Sequence, residues 1–474
     1  MTRHHDLVII GTGSGNSIPA GFDDMDIAIV EDGKFGGTCL NVGCIPTKMF
    51  VHPADLASGA RHAGALGVTA QVNAVDWPGM RDRVFGRIDA IEAGGRAYRS
   101  GPGTPNITVY AGRGVFTGHK RLDVVLHDGS TETITADNWV LAAGSHALIP
   151  EIPGIDAVTV HTSDTVMRID DLPRRIAIIG GGYIAAEFAH IFASFGTEVT
   201  QVIRGEKLLS HHHDVDISAA FTTAAASRYD LRTRSRVDRV DPAGGGVVLR
   251  LSGSDGPSTV EADVLLVAAG RYPNGDRLRV AATGVDLDGV GRVLVDEYQR
   301  TGVDGIWALG DISTHYPLKH VANHEARVVF HNVLHPDHPI AADHRFVPAA
   351  VFTEPQIATV GLTEQQAIHG GIDYVAVRQD YAGIAAGWAR EDTTHFAKLL
   401  ADPETGKLLG AHIIGPEAAT IIQPLIQAMS FELPAHQMAR GQYWIHPALP
   451  ELVENALLQL PEPIVVAGRQ GSAA

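Results

Sequence analysis

Two short glycine-rich stretches, each placed between two apolar runs, limit what this chain can fold into more than any other feature. In the first, the run over residues 7–10 is followed by Gly11-Thr-Gly13-Ser-Gly15-Asn16, and a second run over 27–30 ends at Glu31, twenty positions after Gly11. Glycines at this spacing let the backbone approach a pyrophosphate at a helix N-terminus, and the acid receives ribose hydroxyls. A plain glycine turn needs no acid at that distance. Asn16 stands where Gly or Ala usually closes the motif, and Pro19 and Gly21 predict a shortened, irregular helix behind it.

The second stretch has a predicted strand over 176–179, then Gly180-Gly-Gly182-Tyr183-Ile-Ala185-Ala-Glu187, a helix to about 195 and a strand over 199–203. The residues just past that strand select the ligand. An NAD site places an acid there for the adenosine 2′-hydroxyl, whereas this chain has Arg204 with Lys207 close behind. Arginine pairs with a 2′-phosphate, so NADPH is the expected cofactor, and the missing carboxylate sets this above the reading of a solvated surface arginine. Ser210 stands where a further basic residue is wanted, so incomplete selectivity over NADH is expected.

The chain's two cysteines fall five apart, within Gly36-Gly37-Thr38-Cys39-Leu-Asn-Val-Gly43-Cys44-Ile-Pro46-Thr-Lys48. Thiols are by default small buried hydrophobes. Here Gly36, Gly37 and Gly43 free the backbone to bring both sulfurs within bonding distance, and Pro46 suits a first helical turn whose N–H groups favour a thiolate on Cys44. The string reads as a redox centre.

Two similar strand endings, Trp139-Val-Leu-Ala-Ala-Gly144 and Val264-Leu-Leu-Val-Ala-Ala-Gly270, come after the first fingerprint and after the second. A third, Gly305-Ile-Trp-Ala-Leu-Gly310-Asp311, places an acid where it can hold the polar chain of a flavin. The first nucleotide fold is therefore expected to occupy residues 1–150 and 275–345 as an FAD domain, with an NADPH domain over 151–274 inserted between. From residue 346 to 474 the pattern changes to short alternating runs over 351–352, 357–360, 398–400 and 408–415 with a helix over 418–429, which predicts an antiparallel sheet with helices. Near its end, Tyr443-Trp-Ile-His446-Pro-Ala-Leu-Pro-Glu451 sets a histidine beside a carboxylate, an acid-base pair that titrates near neutral pH.

With 37 basic against 54 acidic residues and a net charge of -17, the charge argues against nucleic acid and anionic membranes as partners. No apolar run is long enough to span a bilayer, and the N-terminus enters a strand without a signal-peptide core, so a cytoplasmic location is expected. In that compartment a disulfide-capable pair is more often catalytic than structural. Most of the 24 histidines, the run over 211–213 included, read as solvated or capping side chains, and no metal site is expected.

In the same order and over nearly the whole chain, the dithiol string, Gly-Gly-Gly-Tyr-Ile-Ala-Ala-Glu, Ala-Leu-Gly-Asp and His-Pro-x-x-x-Glu resemble the flavoprotein disulfide reductases of the pyridine nucleotide-disulfide reductase family. The resemblance implies an α/β fold with two Rossmann-like domains, for FAD and NADPH, and a C-terminal α+β dimerisation domain in a homodimer. FAD would be held by Gly11, Gly13, Gly15, Glu31, Gly37, Thr38, Lys48, Gly144, Gly310 and Asp311. NADPH would be held by Gly180, Gly182, Tyr183, Glu187, Arg204, Lys207 and Gly270. It further implies that Tyr183 gates the nicotinamide pocket, that Lys48 and Glu187 pair beside flavin N5, and that Cys44 receives electrons from the flavin while Cys39 attacks a small disulfide. His446 would protonate the departing thiol of the other subunit's site, with Glu451 holding the imidazole.

Rival readings differ in what they need. A transhydrogenase or NADPH oxidase shares both nucleotide folds but needs neither the cysteines nor His446 with Glu451. Large thioredoxin reductases and mercuric reductases need further C-terminal cysteines, and lipoamide dehydrogenases typically use NAD. Glutathione reductases carry arginines on the first helix, whereas residues 16–26 here have no Lys or Arg and include Asp23, Asp24 and Asp26. A neutral, polyol-rich disulfide suits that surface better than a peptide carboxylate.

Overall fold

The computed structural model describes residues 2–462 apart from 212 and 255. His212 of the histidine run and residues 463–474 of the C-terminal segment lie outside the described residues. The apolar run ending at Ile10 forms the strand Thr2–Ile10, and the run ending at Glu31 forms Ile27–Glu31 beside it, parallel, with Leu7 opposite Ile27. Thr131–Leu141 lies on the other side of the first strand, also parallel, followed by Ile306–Ala308. Both faces of these strands are covered, which is why they read as unbroken apolar runs rather than as alternation. The strand Ile306–Ala308 comes from far along the chain, yet completes the sheet that Thr2–Ile10 begins.

A second parallel sheet holds Asp230–Arg232, Glu198–Val202, Arg175–Ile179, Val264–Val267 and Val160–His161 in that order. The chain enters and leaves it through an antiparallel pair, Ser145–Ala147 with Arg271–Pro273. Beside it stands a three-stranded antiparallel sheet of Ser235–Ala243, Gly246–Gly253 and Ser258–Ala262. The last sheet has five strands, antiparallel throughout, in the order Ala349–Val351, Ile357–Gly361, Leu408–Ile414, Phe396–Ala401, Val375–Asp380.

Two local expectations are corrected. Behind the first glycine loop stands only a single 3-10 turn, Ser14–Asn16, because Pro19 and Gly21 (φ 108°) break the continuation. Arg99 pins that turn by donating to Asn16 Oδ1 and O, each at 2.8 Å. The helix over 418–429 is two helices, Ala418–Ile421 and Gln423–Ser430, since Pro424 has no N–H for the carbonyl four residues back. Most of the described histidines are at least partly exposed, as expected, while His5, His190 and His412 are buried. Tyr110, Asp55 and the Leu362 carbonyl hold them at 2.9, 2.8 and 2.9 Å.

Candidate active site

The same backbone device serves both glycine loops. Gly11 has φ 101° and a Cβ there would lie 2.4 Å from the Ala142 carbonyl oxygen; Gly180 has φ 140° and its Cβ would lie 2.1 Å from that of Ala268. Each loop is thus pressed against the Ala-Ala ending of a neighbouring strand, and only glycine permits the approach. Around Gly13, Gly144 and Gly182 there is open space where a side chain would stand, as a loop that faces a dinucleotide requires. Both loops open into one cleft of about 2000 Å³, which Thr38, Gly144, Gly270, Gly310 and Asp311 also line.

At the end of the first site, Glu31 is held for ligand contact. Its Oε2 accepts from the Thr12 amide and hydroxyl at 2.9 and 2.5 Å, and its Oε1 from the Gly33 amide at 2.8 Å. Asp311 accepts from the Ser145 hydroxyl at 2.6 Å, and Arg271 Nε in turn donates to that hydroxyl at 2.8 Å. The Gly310 amide donates at 2.7 Å to buried Glu325, whose other oxygen meets His344 at 3.0 Å.

The dithiol lies between a short helix, Gly37–Asn41, and a long one, Cys44–His62. Gly37 packs so closely on the first loop that a Cβ would stand 2.7 Å from Gly13 Cα, which draws the cysteines to the nucleotide loop. Cys39 and Cys44 are free thiols hydrogen-bonded to each other. That bond lowers Cys39 to about 7 against the effect of burial, helped by the Lys319 charge and the amides of Cys44 and Ile45. Cys44 is pushed upward by the same bond and by burial. These directions run against the expected helix-start preference for a thiolate on Cys44: the helix begins at Cys44 itself, and the amides of Cys44 and Ile45 act on the preceding sulfur, Cys39.

From the second fold, Tyr183 and Glu187 enter the cleft on the helix Tyr183–Phe195. Burial raises Glu187 to about 7, against the lowering effect of the Phe352 amide. Tyr183 is pushed up to about 12, first by burial and then by the Asp311 charge. Lys48 forms no ion pair with Glu187 in this structure. Instead its Nζ lies 4.1 Å from the centroid of the Phe352 ring, and the Phe352 amide donates to Glu187 Oε1 at 3.0 Å. Phe352 comes from the C-terminal domain, so three regions of the chain meet beside the dithiol.

Arg204 and Lys207 line the far end of the cleft. His446 and Glu451 do not line it. His446 Nδ1 and Glu451 Oε1 are 2.6 Å apart, but the imidazole is 73% exposed while the carboxylate is 16% exposed. Beside them Tyr443 and Ile445 are also bare. The residues that sequence reasoning missed act across the fold: Lys319, which donates to Ser14 at 2.8 Å; Ser145 and Arg271 behind Asp311; and Phe352. None carries a local motif. Among the described residues, no group of histidines, cysteines and acids has metal-binding geometry, and no helix is long and apolar enough to cross a membrane.

Two nucleotide loops meeting at a hydrogen-bonded dithiol define a class of oxidoreductase, and comparison with known proteins agrees. Residues 5–326 match the family of pyridine nucleotide-disulphide oxidoreductases and residues 347–457 its dimerisation domain; the chain belongs to this family. Within it, the chain is 53% identical to mycothione reductase of Mycobacterium tuberculosis, over 96% of this chain and 99% of that protein. Mercuric reductase of Streptomyces lividans is 34% identical, over 94% and 93%. The HOCl-induced flavoprotein disulfide reductase RclA of Escherichia coli superposes with a TM-score of 0.83 at 27% identity, over 96% of this chain and all of that one.

Proposed function

We propose that this chain is an NADPH-dependent FAD flavoenzyme that, as a cytoplasmic homodimer, reduces mycothione to two mycothiol thiols. Carrying the reading is the hydrogen-bonded Cys39–Cys44 pair at the meeting of two nucleotide loops, in a chain 53% identical to a mycothione reductase over nearly its full length. FAD, when bound, supplies the two-electron relay between NADPH and the dithiol. Residues 1–150 and 275–345 form its domain, 151–274 the NADPH domain and 346–474 the dimerisation domain.

Gly11, Gly13 and Gly15 give the pyrophosphate a close backbone, Glu31 takes ribose hydroxyls, and Gly37, Thr38, Lys48, Gly144, Gly310 and Asp311 hold the rest of FAD. Gly180, Gly182 and Gly270 serve NADPH likewise, with Arg204 and Lys207 on its 2′-phosphate and Tyr183 covering the nicotinamide pocket. Lys48 and Glu187 set the charge near the flavin.

Cys44 faces the flavin and Cys39 the substrate. The Cys39 thiolate attacks one sulfur of mycothione, a mixed disulfide forms, and the departing thiolate takes a proton from the partner's His446. Cys44 then attacks the Cys39 sulfur, its thiol proton ends on the second departing thiolate, and the Cys39–Cys44 disulfide closes. Glu451 keeps the imidazole in the tautomer that presents Nε2 and steadies its charged form.

The deciding assay compares NADPH oxidation by the purified holoenzyme with mycothione, glutathione disulfide and lipoamide. Mycothione is expected to give the highest kcat/KM; equal or better turnover of either other disulfide overturns the substrate assignment.

A further inference from the structure

The loop over residues 203–210 owes much of its charge environment to a strand that lies well beyond it in sequence. The Ser235 amide donates to the Ile203 carbonyl at 2.9 Å and the Arg234 amide to the Gly205 carbonyl at 2.8 Å. At its other end, the Leu209 amide donates to the Gly181 carbonyl at 2.9 Å. The loop is thereby clamped between the second glycine loop and the strand Ser235–Ala243, whose next side chain, Arg236, lines the cleft with Arg204 and Lys207.

Two ion pairs shape this corner. Arg234 meets Glu206 at 2.8 Å and neutralises the one acid inside the loop. Arg236 places Nε and Nη2 on a single oxygen of Asp238, each at 2.8 Å, which steadies the guanidinium while its Nη1 edge takes no part in that pair. Four cations therefore stand against two acids in a chain whose net charge is -17, a local reversal of sign that favours a dianionic group.

We propose that Arg236 is a specificity-determining residue for the adenosine 2′-phosphate, supplying from a distant strand the basic side chain that Ser210 does not provide. The proposal rests on the NADPH reading given above. Arg204 and Arg236 approach the site from two different elements, so the phosphate is gripped from two sides and a 2′-hydroxyl gains neither contact. Arg234 acts as a positioning residue through Glu206.

The test measures binding of 2′,5′-ADP and of 5′-ADP to the full-length, FAD-loaded enzyme by calorimetry, for wild type, Arg236→Gln and Arg236→Lys. Loss of one charge-assisted contact is expected to weaken 2′,5′-ADP about tenfold in Arg236→Gln, with 5′-ADP unmoved. Arg236→Lys is expected to recover part of that loss, as a point charge without the planar fork. If wild type prefers 2′,5′-ADP and Arg236→Gln keeps the same preference, the proposal falls while the NADPH reading stands. An equal loss for both ligands also overturns it, because it reports damage to the site rather than recognition of the phosphate. If wild type does not distinguish the two ligands, the NADPH reading fails and takes this proposal with it.

Discussion

The dithiol and the His446–Glu451 pair are both short-range, well-bonded couples, yet they sit in opposite surroundings. Cys39 and Cys44 are held in the cleft by the glycine loop, the helix start and Lys319, and the second fold reaches them through Glu187 and Tyr183. His446 is oriented by Glu451 at 2.6 Å but opens outward, 73% exposed, next to bare Tyr443 and Ile445. In the mechanism proposed above, one chain contains the whole route for electrons, whereas the His446–Glu451 pair is put to use when a second copy covers that surface.

Cys39→Ser should give the largest effect: mycothione turnover is lost while FAD stays bound and is still reduced by NADPH. Stopped-flow absorbance of the variant checks this, and failure of flavin reduction would reverse the order of the thiols. His446→Ala should lower turnover by about 10²- to 10⁴-fold, the range for a positioned acid, with flavin reduction unaffected. The contrast between the two sites is sharpened by mixing these two inactive variants. Under subunit exchange, a mixed dimer has one site with both groups intact, and statistical assortment across a two-fold interface should restore roughly a quarter of wild-type turnover. No recovery in demonstrably mixed dimers would place both groups in the same chain's site. Glu451→Gln keeps the shape and removes the charge, and a loss of about tenfold or more in kcat is expected, since the imidazolium loses its partner.

Titration probes the cleft side of the comparison. A thiol with a lowered value carries its thiolate above that value and loses it as pH falls, so alkylation of the reduced protein at Cys39 should rise through a midpoint near 7. In Cys44→Ala the hydrogen bond is gone, and the midpoint should move upward. Glu187 gives the smallest effect and the opposite linkage. Its value is raised from 4.5 to about 7, so its charge destabilises the fold above about pH 7, and that cost is relieved as pH falls toward 4.5. Glu187→Gln should therefore stabilise the protein at pH 8, by on the order of 3 kcal/mol, and by less than about 1 kcal/mol at pH 5. Equal melting shifts at both pH values would remove the linkage.

Legibility tracks contact distance along the chain. Cys39 with Cys44, and His446 with Glu451, are couples five residues apart, and local spacing exposes such couples. Phe352 meets Lys48 with its ring and Glu187 with its amide from more than a hundred residues away, and Lys319 reaches Ser14 across the fold. Neither has a motif because any chain segment could have been folded into those places. The protonation of the dithiol escapes the sequence for a related reason. Residue type and spacing identify a helix start near Pro46, but which sulfur its amides face depends on the path of the preceding loop.

By itself the order of residues determined two nucleotide loops, a redox pair beside the first of them, a basic end to the second and an acid-base couple near the C-terminus. These are properties of short stretches whose backbone freedom and side-chain chemistry travel with them. Tertiary structure alone decided that Lys48 rests on Phe352 instead of on Glu187, that Arg236 lines the cleft with Arg204, and that His446 stands exposed outside the cleft. Each of these depends on how separate elements pack, and packing is set by surfaces complementary in three dimensions rather than by neighbours along the backbone.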